Sequence, residues 1–330
     1  MDLKIIISCF LIISFSLTAA AQEPVKADTL IHKLDSLAKK TDSTGIQVNN
    51  INESAYNEVT KLTPRSYFLL LGSSIKQTFT KPFHMRHRDW INFGTFAAAD
   101  IALGFADEPI QKNALDWRNK NASVGRIGGK ITNFGGAYEF AALGAFGLYG
   151  IVFKNEKVKT TTLLATQAVI TAVLVEATVK TLTGRTRPNY YVTGTEAEPQ
   201  FLGPFGKTGK DAAGRKSNSS FPSGHTTSAF AAATVFAVEY RNKPIIPIIA
   251  YTAATLVGLS RITENKHWAT DVFTGAALGY LTGREISFNY HRYAKIQNDA
   301  KRKADAKKRS VTFNLQYNYG RMMPGLVWKL

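Results

Sequence analysis

The chain has 330 residues, with 41 Lys+Arg against 24 Asp+Glu and a formal charge of +17. That length suffices for one large domain or two small ones, and the basic balance fits acidic partners such as phosphate groups, anionic lipid or nucleic acid. The single cysteine, Cys9, excludes a disulfide framework and a cysteine metal cluster.

The N-terminus reads as an export signal over residues 1–21. Lys4 precedes an apolar core at 5–17, and Ala19-Ala20-Ala21 offers a small-residue cleavage site. The core is short for a membrane helix. Residues 22–65 form a polar segment. Within it Leu30, Ile31, Leu34 and Leu37 have helical spacing, which predicts an amphipathic helix over 28–40, and 41–53 reads as linker. Thr63-Pro64 is a helix-start signal followed by Tyr67, Phe68, Leu69, Leu70 and Leu71. The basic and aromatic stretch 81–90 suits either a membrane-surface approach or a solvated loop.

From Ile91 the character changes. Apolar stretches recur at 91–105, 134–153, 161–179, 226–238, 245–259 and 272–281, rich in Ala, Gly and Thr and without strand-like alternation. They predict six helices, with small residues permitting close helix–helix packing. Only 134–153 and 161–179 approach the roughly 20 apolar residues that a bilayer span needs. Glu139, Glu176 and Glu239 interrupt the runs.

The loops at 154–159 and 241–243 are short and basic, as expected on a cytoplasmic side. Connections near Arg187, His225 and His267 then share the opposite face. A cleaved leader conflicts with this, because six full spans from an exported residue 22 would put the basic loops outside. The conflict vanishes if 91–105 does not fully cross, if 67–75 also crosses, or if the bundle is soluble and periplasmic. At the C-terminus, 292–309 reads as a solvated basic helix. Val311, Phe313, Leu315, Tyr317 and Tyr319 alternate as a strand, and Gly325-Leu326-Val327-Trp328 offers a second.

Three clusters carry chemistry. The first is Lys180-Thr181-Leu182-Thr183-Gly184-Arg185-Thr186-Arg187-Pro188. The second is Ser219-Ser220-Phe221-Pro222-Ser223-Gly224-His225, opening into the apolar run at 226–238. Ser223 and the amides after it can face an anion at a helix N-terminus, where free N–H groups and the helix dipole favour negative charge. The third is Ser260-Arg261, then His267, then Asp271.

Lys180, Arg187 and Arg261 can neutralise phosphate oxygens, Lys as a point charge and Arg as a planar fork. Read alone, Lys180, Arg185 and Arg187 are equally ordinary basic residues at a helix end. His267 and Asp271 lie four apart and so share a face if helical. That is either a local pair, or a carboxylate fixing one ring nitrogen while the other attacks phosphorus. Two histidines and three cations without a carboxylate cluster argue against a two-metal mechanism. Gly203-Pro204-Phe205-Gly206-Lys207-Thr208 has the look of a P-loop fragment, but Phe201 stands where the leading Gly belongs and no strand precedes it. Lys207, Lys210, Arg215 and Lys216 read as a solvated basic loop.

Together the clusters resemble the type 2 phosphatidic acid phosphatase family, which shares its fold with vanadium haloperoxidases and bacterial class A acid phosphatases. The family pattern is Lys, six residues, Arg-Pro; then Pro-Ser-Gly-His; then Ser-Arg, five residues, His, three residues, Asp. Every fixed position matches between Lys180 and Asp271. The resemblance implies an all-α, six-helix-type bundle over 66–284 with its active site at one end. The basic and strand-like tail at 285–330 lies outside it, as do 1–21 and 22–65.

The resemblance further implies that His267 is the nucleophile, Asp271 its orienting carboxylate and His225 the general acid. Lys180, Arg187, Ser223, Gly224 and Arg261 would hold the phosphate, with no metal or cofactor. The expected protein is an exported phosphatase of lipid phosphates or diphosphates in the inner membrane, its site facing the periplasm. Its partners would be a phosphorylated lipid and the membrane, not nucleic acid; oligomeric state is unassigned. Rival readings are a soluble periplasmic acid phosphatase, a vanadium-dependent haloperoxidase and a non-catalytic envelope binding protein.

Overall fold

Why the chain folds as it does is clearest from its helix ends. In a computed structural model, which describes residues 58–190, 197–206, 217–308, 311–318 and 320–328, nine α-helices and a hairpin follow one another. The export signal, the helix at 28–40, the linker at 41–53 and the basic residues Lys207, Lys210, Arg215 and Lys216 fall outside the described residues. Helix α1 (Pro64–Thr80) opens on a capping box. Thr63 accepts from the Ser66 amide while Ser66 accepts from the Thr63 amide, and Pro64 takes the first helical position.

Helices α2 (His87–Gly104), α5 (Ala137–Val152), α6 (Glu156–Thr183), α7 (Gly224–Glu239), α8 (Ile245–Thr263) and α9 (Ala269–Lys308) correspond to the six apolar stretches. Helices α3 (Asp107–Lys120) and α4 (Ala122–Thr132) were not expected, because neither contains a long apolar run. A 3₁₀ turn at Asn133–Gly135 and the Gly136 cap shorten α5 to 16 residues, less than its apolar run suggested. Among the described residues, the helices long and apolar enough to cross a membrane are therefore α6 and α8, not α5 and α6.

Helix α7 is the hub and packs on α6, α8 and α9. Leu164, Ala165, Ala168, Val169 and Ala172 of α6 meet Ala231 and Val235 of α7 and Ile286 and Tyr290 of α9 in one buried core, with Leu70 of α1 and Leu143 of α5 at its margins. Contact between α7 and α9 is backbone to backbone. A Cβ at Gly279 would lie 2.3 Å from the Thr227 carbonyl oxygen, and one at Gly283 would lie 2.4 Å from that of Ala231. Small residues on this face let the helices approach more closely than any side chain permits.

Helix α9 runs unbroken through residue 284, and Ile286, Tyr290, Tyr293 and Ala294 beyond it are buried. Residues 58–63 strap across this part of α9: Tyr290 Oη donates to the Thr60 carbonyl at 2.9 Å, and His291 Nδ1 meets the Glu58 carbonyl at 2.8 Å. His291 Nε2 and Lys157 Nζ both bond Glu239, at 2.9 and 2.8 Å. The strap, the 154–159 loop and the end of α7 therefore share one end of the bundle. The tail forms an antiparallel hairpin, β1 (Val311–Asn318) with β2 (Arg321–Trp328), in the register Val311↔Trp328. Large apolar side chains face outward on α5 (Phe140, Phe146, Leu148, Ile151) and α8 (Ile245, Ile248, Ile249, Leu256).

Gly279→Ala should lower the thermal midpoint, since overpacking typically costs about 1–3 kcal/mol. Gly144→Ala is the control: its Cβ would meet nothing within 4 Å, and helix propensity favours Ala by about 1 kcal/mol. Thermal unfolding of the detergent-purified protein checks this, and equal midpoints for both variants would remove the close-contact explanation.

Candidate active site

The three clusters meet at the bundle end opposite the strap. Helix α6 stops because Gly184 adopts a left-handed conformation (φ 55°, ψ 37°), its amide bonding the Lys180 carbonyl at 3.0 Å. The chain then crosses the bundle end. Thr186 N bonds Gln200 O, Arg187 N bonds Ser217 O and Ser220 N bonds Arg185 O, so the first cluster is stitched to the approach of the second.

Ser223 is the N-cap of α7 but makes no capping bond with its side chain; its Oγ accepts from Thr226 Oγ1 at 2.8 Å. The first-turn amides of α7 are thus not capped by Ser223, which suits an anion. Gly224 is required by crowding. A Cβ there would lie 2.7 Å from Glu176 Oε1 and 3.3 Å from Lys180 Nζ. Lys180 in turn bonds Glu176 one turn back on α6. His225 packs against the Gly135-Gly136 backbone, with its Nε2 only 3.3 Å from where a Gly136 Cβ would stand.

Arg261 closes the third side. It is buried, and its Nη1 donates to Thr132 Oγ1 and to Glu264 Oε2, both at 3.1 Å. Helix α4, unforeseen in the sequence, thus helps to place it. Arg187 Nη2 donates to the Ser219 carbonyl at 3.1 Å. His267 is buried in the turn before α9, its Nδ1 3.4 Å from Asp271 Oδ2. The pair is not on one helix as the spacing suggested: α9 begins at Ala269, and Asp271 Oδ2 also accepts the Trp268 amide at 2.9 Å.

Asp271 has two further donors. Ser220 Oγ bonds Oδ2 at 2.5 Å and Arg185 Nη1 bonds Oδ1 at 2.7 Å. Arg185 Nη2 meets Asp107 Oδ2 at 2.6 Å, and Asp107 also accepts the Thr270 amide and hydroxyl. Sequence reasoning missed these partners. Arg185 sat inside a cluster yet read as an ordinary basic residue, Ser220 read as turn, and nothing local marks Asp107. Among the described residues, no group of three His, Cys, Asp or Glu side chains could hold a metal.

The electrostatics set the roles each group can take. Burial, then the charges of Arg187, Lys180 and Arg261, hold the His267 ring far below its ordinary pKa, so it is neutral with a lone pair available. Burial and Arg261, Lys180 and Arg187 also lower His225, to about 3. Burial raises Asp271, and the Arg185 charge opposes that. The arrangement can receive a tetrahedral oxyanion at the α7 N-terminus, with a neutral, oriented imidazole and a second histidine beside it.

Residues 160–295 match the model of the PAP2 superfamily. A lipid A 1-phosphatase of Porphyromonas gingivalis is 52% identical over 65 residues, 19% of this chain and 15% of that protein. Lipid phosphate phosphatase 1 of Arabidopsis thaliana is 32% identical over 139 residues, 38% of this chain and 41% of its own length. Phosphatidylglycerophosphatase B of Bacillus subtilis is 38% identical over 74 residues, 20% of this chain and 36% of its own. The chain therefore spans less than half the length of each of these relatives. Among solved structures, a transmembrane PAP2-type phosphatidylglycerolphosphate phosphatase from Bacillus subtilis aligns with TM-score 0.42 and 22% identity, over 64% of this chain and 96% of that one.

The depressed His225 pKa has a measurable consequence. Its value of about 3 lies below the ordinary 6.5, so between those values the unfolded chain binds a proton that the folded protein does not. This group's contribution therefore weakens folding as pH falls from about 6.5 towards 3. An anion among the cations would raise the folded pKa. Inorganic phosphate should protect the protein more at pH 5 than at pH 7, read as the shift in thermal midpoint; equal protection at both would rule out this coupling.

Proposed function

We propose that the protein is a phosphatase that hydrolyses lipid phosphate or diphosphate esters through a phosphohistidine. The observation that carries this is His267: a buried, neutral imidazole tied at Nδ1 to a carboxylate and surrounded by Lys180, Arg187 and Arg261. In the first step His267 Nε2 attacks phosphorus and the bond from phosphorus to the leaving oxygen breaks. His225 donates a proton to that oxygen. The phosphate dianion would offset the neighbouring cations that help to lower the His225 pKa, so that the ring can hold this proton. In the second step water attacks the phosphohistidine, His225 receives the water's proton, and phosphate leaves. Lys180, Arg187, Arg261 and the α7 N-terminus stabilise the charge developing on the phosphoryl oxygens. Ser223 and Gly224 form the wall that faces it.

A lipid substrate is supported by the named activities of the three curated relatives and by the outward apolar faces of α5 and α8. We place the protein in a membrane of the cell envelope, with its site facing the periplasm, on the strength of loop charge. The basic loops at 154–159 and 241–243 lie at the end opposite the site, where positive residues favour the cytoplasm. The strap at 58–63 lies at that same end. An exported residue 22 would instead put the strap and the basic loops outside, so the two orientations are mutually exclusive and separable by experiment.

His267→Ala should abolish phosphate release from a panel of lipid and soluble phosphates assayed with EDTA present. His225→Ala should spare substrates with good leaving groups more than poor ones, and equal losses for both would count against its role as the acid. Halide oxidation dependent on vanadate and peroxide, without phosphate release, would replace the phosphatase reading. For orientation, single cysteines at Asn121 and Lys154 in a Cys9→Ser background can be labelled with an impermeant maleimide in spheroplasts. Asn121→Cys should react at once and Lys154→Cys only after permeabilisation; the reverse order would invert the proposed topology.

A further inference from the structure

The mechanism above uses Asp271 but not what stands behind it. Arg185 is 3% exposed and its guanidinium bridges two carboxylates, Asp107 and Asp271, that are wholly buried. It also donates to Thr270 Oγ1 at 2.5 Å. The rings of Phe201, Phe221 and Trp268 surround it at 4.8, 5.9 and 5.7 Å, and Trp268 is itself fixed through Nε1 to the Thr186 carbonyl at 2.8 Å. A cation so enclosed cannot reach a substrate phosphate. Its fork is occupied on both sides, and its one link to the reacting centre passes through Asp271.

We propose that Arg185 is a positioning residue, braced by Asp107, that holds Asp271 charged and aimed at His267. The proposal rests on the phosphatase reading for its kinetic consequence, but not for its structural one. A carboxylate out of water needs a matched cation and good donor geometry to stay ionised. Asp271 Oδ1 takes Arg185, which leaves Oδ2 for Ser220, the Trp268 amide and His267. Asp107 does for Arg185 what Arg185 does for Asp271, since it fixes the other half of the fork and the Thr270 amide at the start of α9. Arginine is specific here, because lysine offers a charge but no planar fork to span two carboxylates. Helix α3, absent from the sequence motifs, thereby acquires a part in the site through Asp107.

The test uses the full-length protein in detergent with Arg185→Met, Arg185→Lys and Asp107→Asn. Arg185→Met removes the charge that keeps Asp271 ionised. It should cut kcat by about tenfold or more with KM within about twofold, the pattern of a group that does not bind ground-state substrate. Its acid limb should move to higher pH, so that activity partly recovers in alkali. Arg185→Lys should keep the wild-type acid limb with a smaller loss of kcat. Asp107→Asn should lower kcat in the wild-type background and add little to Arg185→Met, the non-additivity expected of one network. A merely structural role would lower kcat and KM-independent yield at every pH without moving the acid limb.

A second readout needs no turnover. With ¹⁵N-histidine labelling of the six histidines, the Nδ1–H tautomer signal of His267, assigned with His267→Ala, should be lost or mixed in Arg185→Met and retained in Arg185→Lys. An unchanged His267 signal in a folded Arg185→Met protein overturns the proposal. A wild-type protein that releases no phosphate while the tautomer responds as expected overturns the phosphatase reading and leaves the bracing role standing.

Discussion

Asp271 is the carboxylate on which the site depends. It is wholly buried, and leaving such a group unpaired would be expensive. Its donors come from all three clusters: Arg185 from the first, Ser220 from the second, and Trp268 and His267 from the third. Its backbone carbonyl also accepts the Ser223 amide at 2.9 Å, which fixes the start of α7 against the start of α9. One residue thus satisfies its own charge and, in doing so, gathers three stretches that lie far apart in the chain. The motif spacing has a physical reason in this convergence.

Convergence at one end demands that the helices behind it come close. Glycine at 279 and 283 brings α9 onto the backbone of α7, and Gly224 lets the first turn of α7 slide under Glu176 and Lys180 of α6. The first contact lies deep in the bundle and the second at the site, so packing and chemistry are set by the same choice of residue. Glu139, Glu176 and Glu239, which interrupt apolar runs, are all buried in this bundle. Glu176 holds Lys180 at the site, and Glu239 holds Lys157 and His291 at the far end. Two of the three acidic interruptions are therefore internal ion-pair partners.

Much of this was legible in the sequence, for identifiable reasons. Apolar runs revealed six helices, although of these only α5, α6, α7 and α9 give side chains to the buried core, and alternation at Val311, Phe313 and Leu315 revealed the first strand of the hairpin. The clusters revealed which residues share an end. What stayed hidden was long-range and polar. Asp107 lies 78 residues from Arg185, in a helix whose composition is mostly polar, and only the fold brings it there. Helix α4 was hidden because it is short and carries three glycines, although Thr132 at its end holds Arg261. The length of α5 was misread because a run of apolar residues does not record where a backbone turns, and Gly135-Gly136 turns it beside His225.

The charges around the site are balanced in a way that suits an anion. Lys180, Arg187 and Arg261 would repel one another if left alone. Glu176 sits against Lys180 and Glu264 against Arg261, each from the cation's own stretch of chain, while Arg187 is held by a backbone carbonyl. The flanking carboxylates help to fix Lys180 and Arg261 in place. Burial first, and then the field of the cations, holds both histidines neutral. In the proposed mechanism a neutral His267 can attack, whereas a neutral His225 cannot donate. A phosphate dianion placed among the cations changes the second condition, because its negative charge lets His225 take a proton. It need not change the first, because burial as well as charge keeps His267 neutral. In the proposed mechanism the substrate anion would therefore arm the acid.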